Sequence, residues 1–508
     1  MNLLSSTTVF SFYTMLSRIL GYFRDILIAI FLGTSIYADA FFVAFRLPNT
    51  FRRLFAEGTF NAAFIPSYTA EKIKSKTQGK KFADEVLTLL TLGLLTIVLI
   101  VEILTPYVVY LIAPGFIEDK TKFNLAVDLT RITFPFLAFV SLSSFFAGIL
   151  NSENKFAASA AAPIFLNLIL IFSLVFSYYF KLDYALNLSY GVSLSGLIQL
   201  IFLIYFASKY YHPSLVFKNK IRQKVKFFLK KLLPSIFSSG VTQISILIGT
   251  IIASFQTGAV SYLYYADRIY QINLAIAGIA VSTVSLPILS KLIKNKKNNQ
   301  VNKIQNKSLE LSLLLSIPAS VALIIGSEVI VNALFGYGSF TESDIEQTSL
   351  ALKYFGYGIP AFAVLKIFAN FFFARDNTIT PFKVSSIVVF TNIVISILFF
   401  KKIGFIIIPI ATTVSTWVGI FYYLYLLLKI SYLKIDSQFY INFIKIVFAT
   451  SIMSYIFLEG LNYFAKNLTY SSDYKVLYLL VIVIFVALLY FLICYFLKVL
   501  NLKSFKTN

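Results

Sequence analysis

Residues 45–60 read FRLPNTFRRLFAEGTF and lie in a largely apolar run that begins near residue 37. Arg46, Arg52, Arg53 and Glu57 therefore fall inside a segment long enough to be a membrane helix. Three arginines and a glutamate are costly there, so what surrounds them decides how they are read.

The 508-residue chain is 58% hydrophobic and 17% aromatic, and only 13% of it is charged. Its mean hydropathy is +0.81. This is the composition of an integral membrane protein, and the long recurring apolar runs indicate helices rather than an outer-membrane barrel. The net charge of +22 does not point to nucleic acid, because the basic residues gather in short loops between apolar runs. Cys494 and His212 are the only residues of their kinds, which excludes a disulfide framework and a Cys/His metal site. Cys494 is expected to pack in the last apolar run and His212 to be solvated. The N-terminus lacks a charged leader region and a small-residue cleavage site, and Arg18, Arg24 and Asp25 follow within the first helix, so no removed signal peptide is expected.

Fourteen spans are expected, near 5–33, 37–68, 83–113, 124–151, 157–180, 186–208, 227–256, 260–290, 305–335, 346–374, 380–401, 405–429, 437–459 and 475–498. The fold class is thus an all-α polytopic membrane protein. With the N-terminus in the cytoplasm, the lysine-rich loops 69–82, 209–226 and 291–304 all lie inside. Loops 34–36 and 257–259 have no Lys or Arg, and FGYGSFTESDIEQ is purely acidic, as outer loops should be. Both termini are then cytoplasmic. A faint repeat relates FNAAFIPSYTAEKIK to VSTVSLPILSKLIK, each running through Pro66 or Pro287 into a lysine-rich loop and each following a tight turn at Gly33 or Gly258. It suggests two parallel six-helix lobes, residues 1–210 and 211–435, followed by helices 13–14 and a tail at 436–508. No extramembrane loop has room for a soluble catalytic domain, so no enzyme is expected.

The charges inside the spans carry the functional reading. Arg18 and Arg24 lie roughly 15 Å from the ends of their helix, too deep to snorkel easily. Arg46, Asn49, Arg53 and Glu57 fall at i, i+3, i+7 and i+11 on one polar stripe, with Arg52 directed elsewhere. Arg53 and Glu57 are spaced to pair, whereas the adjacent Arg24 and Asp25 are expected to point apart. Pro48 should bend this helix near the stripe. Asp39, Glu57 and Asp267 fit equally well as fasteners between helices. The arginines outnumber the carboxylates, since Arg18, Arg24, Arg46, Arg52, Arg53 and Arg268 face Asp25, Asp39, Glu57 and Asp267. That surplus fits an anionic guest, and the planar guanidinium suits a phosphorylated, membrane-borne substrate.

RLPNTFRRLFAEGTFNAAFIPSY, the upstream SRILGYFRDILIAIFLGTSIYADAFFVAFR, YLYYADRIYQ at 262–271 and FFARDNTITPFK at 372–383 together resemble the MurJ/MviN lipid II flippases. These belong to the multidrug/oligosaccharidyl-lipid/polysaccharide transporter superfamily. The resemblance covers nearly the whole chain, and is most specific over residues 17–68 and weakest in helices 13 and 14. It implies alternating-access transfer of lipid II, the undecaprenyl-pyrophosphate-linked peptidoglycan precursor, to the outer leaflet of the bacterial cytoplasmic membrane. It also implies two lobes around a cationic cavity and a groove for the polyprenyl tail at helices 13–14. Arg18, Arg24, Asp25, Arg52, Arg53 and Arg268 become the expected substrate-binding residues. Asp39, Arg46, Asn49, Glu57 and Asp267 become gating or structural charges. Membrane lipids and the cell-wall synthesis machinery are the implied partners, with no nucleic acid.

The chain departs from the family at two places. QINLAIAG follows Arg268 where many members have Pro and Gly. Helix seven has no carboxylate, and helix eleven offers Asn392 and Ser396 where sodium-binding members use aspartate. This argues against a sodium site and for membrane potential as the driving force, with no cofactor or metal. The rival reading is another polyprenyl-linked polysaccharide or drug exporter of the superfamily. A polyprenyl-phosphate glycosyltransferase would need a soluble sugar-binding region that the short loops lack.

Overall fold

The computed structural model describes the backbone of residues 3–56, 59–216 and 221–499, and the side chains of the same residues except 3–8, 53–56, 59, 231 and 233–242. Helices dominate, and no strand occurs among the described residues. They are α1 Leu3–Leu32, α2 Ile36–Ala56, α3 Thr59–Lys74, α4 Lys76–Ile112, α5 Lys120–Thr133, α6 Phe136–Ser152, α7 Phe156–Phe180, α8 Tyr184–Ala207 and α9 Gln223–Ala253. There follow α10 Ala259–Leu274, α11 Val281–Lys294, α12 Asn298–Phe335, α13 Glu342–Gly356, α14 Ile359–Phe373, α15 Ile379–Ile403, α16 Ile407–Lys429, α17 Ser437–Tyr463 and α18 Lys475–Phe496. A π-helical stretch, Ala275–Ala280, joins α10 to α11.

Helices run through the described residues of every expected span, which bears out the all-α membrane class. By length and apolarity nine described helices or helix runs can cross a bilayer, or ten if the bent pair α13–α14 is one span. That falls short of fourteen. α1 and α2 are not among the nine, and both carry several charges within the helix: Arg18, Arg24 and Asp25 on α1, and Asp39, Arg46, Arg52 and Arg53 on α2. The lysine-rich segments are also more helical than expected. α3 runs to Lys74 and α4 starts at Lys76, with Ser75 as N-cap accepting from the Gln78 amide at 3.1 Å. The apolar runs mark only the part of a helix in lipid, and the helices continue beyond it.

Contacts divide the chain into two compact units, residues 1–261 and 262–508. In the first, α3, α4, α6 and α9 share a core around Phe60, Phe64, Phe82, Phe145 and Phe228. Gly33, in the turn between α1 and α2, and Gly258, before α10, both adopt positive φ, 56° and 76°. These are the two tight turns expected from sequence, and only glycine enters that region without strain.

In the second unit one core joins α11, α14 and α16, and another joins α12, α17 and α18. Cys494 is fully buried in the latter, as expected, and His212 is exposed. Lys475, at the start of α18 and 1% exposed, donates to Asn332 Oδ1 at 3.0 Å, the Gly336 carbonyl at 2.6 Å and the Tyr470 carbonyl at 2.8 Å. A lysine with three oxygens at the C-terminus of α12 both satisfies its donors and complements the helix dipole.

Candidate functional site

In the first unit the charges of α1 are sorted by depth. Arg24 and Asp25 are 5% and 2% exposed, whereas Arg18 is exposed on the helix surface. Arg24 and Asp25 do pair, contrary to the expectation from their angular separation. Arg24 donates to Asp25 Oδ1 from Nε at 2.9 Å and from a terminal nitrogen at 2.6 Å. The long arginine stem folds back over the helix and brings the guanidinium to its neighbour. A third bond goes from Arg24 to Asn167 Oδ1 on α7 at 2.9 Å, and Asn167 Nδ2 reaches back to the Ser17 carbonyl at 2.8 Å. Gly21 lies against this amide, where a Cβ would come into ordinary contact with Asn167 Oδ1 at 3.4 Å. The guanidinium is thus oriented from two sides, and Asn167 is a residue the sequence reading missed. A polar side chain in an otherwise apolar run was its only signal.

On α2 the assignments change again. Arg52 Nε donates to Asn49 Oδ1 at 3.0 Å. Asn49 was placed on the Arg46 stripe, but at i−3 it lies within reach of Arg52 and orients it. Arg46 and Arg52 are both partly exposed, and Pro48 is buried inside the helix. The Arg53 side chain and Glu57 lie outside the described residues, so their expected pairing does too.

Asp39 is a fastener. It is fully buried and accepts from Lys122 Nζ at 2.6 Å, the Gly258 amide at 2.9 Å, the Ser261 amide at 3.0 Å and Ser261 Oγ at 2.6 Å. Lys122 is itself 4% exposed, with its ammonium 4.1 Å from the centre of the Phe116 ring. The carboxylate caps the N-terminus of α10 from another helix, where the backbone dipole favours negative charge.

In the second unit Asp267 and Arg268 turn away from each other. Asp267 accepts from Gln271, one turn later. Arg268 donates to Tyr264 Oη at 2.8 Å and stacks over that ring at 4.8 Å. Arg268 remains partly exposed. Lys366 lies at the midpoint of α14, is exposed, and makes no ion pair among the described residues. The sequence reading passed over it because it counted charges only where they clustered. Asn392 is buried and donates to Thr412 Oγ1 at 2.9 Å, a neutral pair. No group of three or more His, Cys, Asp or Glu suited to a metal occurs among the described residues.

Two of the four expected carboxylates, Asp25 and Asp39, are therefore bound to Arg24 and Lys122. The described hydrogen bonds of Arg52 and Arg268 go instead to neutral groups, an amide and a phenol.

Comparison with known proteins gives a consistent result. Residues 28–479 match the family model described as lipid II flippase MurJ. A probable lipid II flippase MurJ of Rickettsia prowazekii is 36% identical over 506 residues, covering 99% of each chain. One from Rhizobium meliloti is 40% identical over 412 residues, covering 80% of this chain and 77% of its own. Among solved structures, a lipid II flippase MurJ in an inward closed conformation superposes with a TM-score of 0.81 at 28% identity, covering 97% of this chain and 99% of its own. An inward-facing multidrug resistance MATE family transporter of the MOP superfamily gives 0.69 at 14% identity, covering 84% of this chain and 98% of its own; that likeness concerns the fold alone.

Proposed function

The chain belongs to the lipid II flippase MurJ family, and from that premise we propose that it carries lipid II across the membrane with its arginines on the pyrophosphate. The observation that supports this reading is Arg24, buried within α1 and held by Asp25 and Asn167. Burying a guanidinium that deeply is costly, and a fixed orientation is what a bidentate phosphate contact needs. Arg52, steadied by Asn49, is the second contact in the first unit. Arg268, steadied by Tyr264, contributes from the second, and Arg18 serves as the exposed entry charge. Asp25 orients Arg24 rather than touching the lipid.

The transfer proceeds by alternating access, with both termini in the cytoplasm and the membrane potential as the bias. That potential is worth about 2.3 kcal/mol per elementary charge per 100 mV, enough to favour one state of a positively charged site. Peptidoglycan assembly outside the membrane consumes the product.

The test is outward lipid II transport by Arg24→Ala, Arg52→Ala and Arg268→Ala, each expressed at the normal level. All three are expected to fail. Sustained transport by Arg24→Ala would remove the proposed grip. Depletion of the protein is expected to leave lipid II accumulating inside the cell while its synthesis continues. Accumulation of a different polyprenyl-linked sugar would point to the rival exporter.

A further inference from the structure

A cavity of about 170 Å³ lies within the first unit, between α3, α4 and α9. Its lining is almost wholly apolar and includes Phe60, Val86, Leu90, Gly93, Ile97 and Phe228. On α4 the lining residues recur at three- and four-residue intervals, forming one stripe of a membrane-crossing helix. Gly93 and Ile97 on that stripe are exposed, so the cavity opens to the surroundings of α4, which are hydrocarbon. A Cβ placed on Gly93 meets no atom within 4 Å, an independent sign of open space. For scale, an apolar cavity of about 150 Å³ accepts benzene and stays dry.

The lysine-rich end of this cavity is a built structure. Asp84 Oδ1 accepts from Tyr211 Oη at 2.6 Å and from the Ser214 amide at 3.1 Å. Thr88 Oγ1 accepts from the Val216 amide at 2.9 Å, and Arg222 pairs with Glu85 at 2.7 Å. These bonds tie Tyr211, Ser214, Val216 and Arg222 to α4 beside the cavity. Val225, a lining residue, is flanked on α9 by the exposed Lys224 and Lys226.

We propose that this cavity holds one acyl chain of an anionic phospholipid, with its headgroup beside the basic start of α9, where Lys224 and Lys226 flank Val225. The apolar lining selects hydrocarbon, and the two lysines select negative charge at the depth where headgroups lie. This site uses none of the arginines assigned to lipid II, so it stands apart from the transport reading and is measured by lipid binding.

The test is native mass spectrometry of the full-length protein titrated with phosphatidylglycerol, with phosphatidylcholine for comparison. Wild type is expected to retain one phosphatidylglycerol in preference to phosphatidylcholine. Gly93→Phe fills the cavity from within and is expected to lose that lipid while melting no lower than wild type. Lys224→Gln with Lys226→Gln is expected to keep the chain site but weaken phosphatidylglycerol by up to about thirtyfold, from roughly fivefold per lysine near an anionic surface. Undiminished retention by Gly93→Phe overturns the proposal, as does equal binding of the two phospholipids by wild type. A co-purified polyprenyl lipid displaced by Gly93→Phe would also overturn it, by naming a different occupant. Should Gly93→Phe fail to fold, Gly93→Leu and Leu90→Phe are read in its place by the same criteria.

Discussion

Asp39 accepts four hydrogen bonds, and replacing it with asparagine disturbs two of them. Oδ2 accepts from Lys122 Nζ and the Gly258 amide, and Oδ1 accepts from the Ser261 amide and hydroxyl. An asparagine can keep one oxygen facing Ser261, but its NH2 then meets two donors. Lys122, 4% exposed, is left as a buried cation whose carboxylate is gone. Removing one partner of a buried pair costs about 3–5 kcal/mol, most of it from the charge left behind. At roughly 2 °C per kcal/mol for a unit of this size, Asp39→Asn should melt about 6–10 °C below wild type. Adding Lys122→Met removes the stranded ammonium, so the double variant should regain more than half of the loss. It should not regain all of it, because the Gly258 amide still faces an NH2. The assay is thermal melting of purified protein, with hydrogen exchange at residues 254–261 to locate the effect. Melting within about 1 °C of wild type and unchanged exchange in Asp39→Asn would refute the clasp. A double variant no better than the single would refute the assignment of the cost to Lys122.

Further predictions follow from the same geometry. Asn167→Ala removes the amide that orients Arg24, and should slow transport while costing about 1.5–3 kcal/mol of stability. In an Arg24→Ala background the same change should have little further effect on transport, which a double-mutant cycle measures. Lys366→Ala should leave folding intact, as the side chain is exposed and unpaired in the described structure, and should lower transport if the exposed charge assists the anion. Tyr211 lies beyond α8, outside the spans, and burial together with its bond to Asp84 raises its pKa. A raised pKa means the folded state holds the phenol proton more tightly than the unfolded chain. The stabilisation is therefore complete below the unfolded value of about 10 and declines as pH rises above it. Tyr211→Phe should flatten that alkaline decline in a pH series of melting temperatures, and at neutral pH should cost about 1 kcal/mol.

The class of this protein was legible from apolar run lengths, and its family from the residues around FRLPNTFRRLFAEGTF. Helix positions followed too, because burial in lipid imposes a length and a composition on each span. Helical periodicity also gave the face on which each charge lies. It could not give the partner. Arg24 and Asp25 are 100° apart on a helical wheel, yet they meet because an arginine stem is long enough to turn back. Asn49 left the Arg46 stripe for Arg52 because rotamers, not Cβ directions, decide between two reachable neighbours. Lys122 and Asp39 are far apart in sequence and on different helices, so nothing local connects them. Sequence by itself determined that this chain spans a membrane and that three of its spans, 5–33, 37–68 and 260–290, carry six arginines against four carboxylates. Only the tertiary structure decided which carboxylates are bound to a cation, because that depends on which helices pack side by side and on how far each side chain reaches.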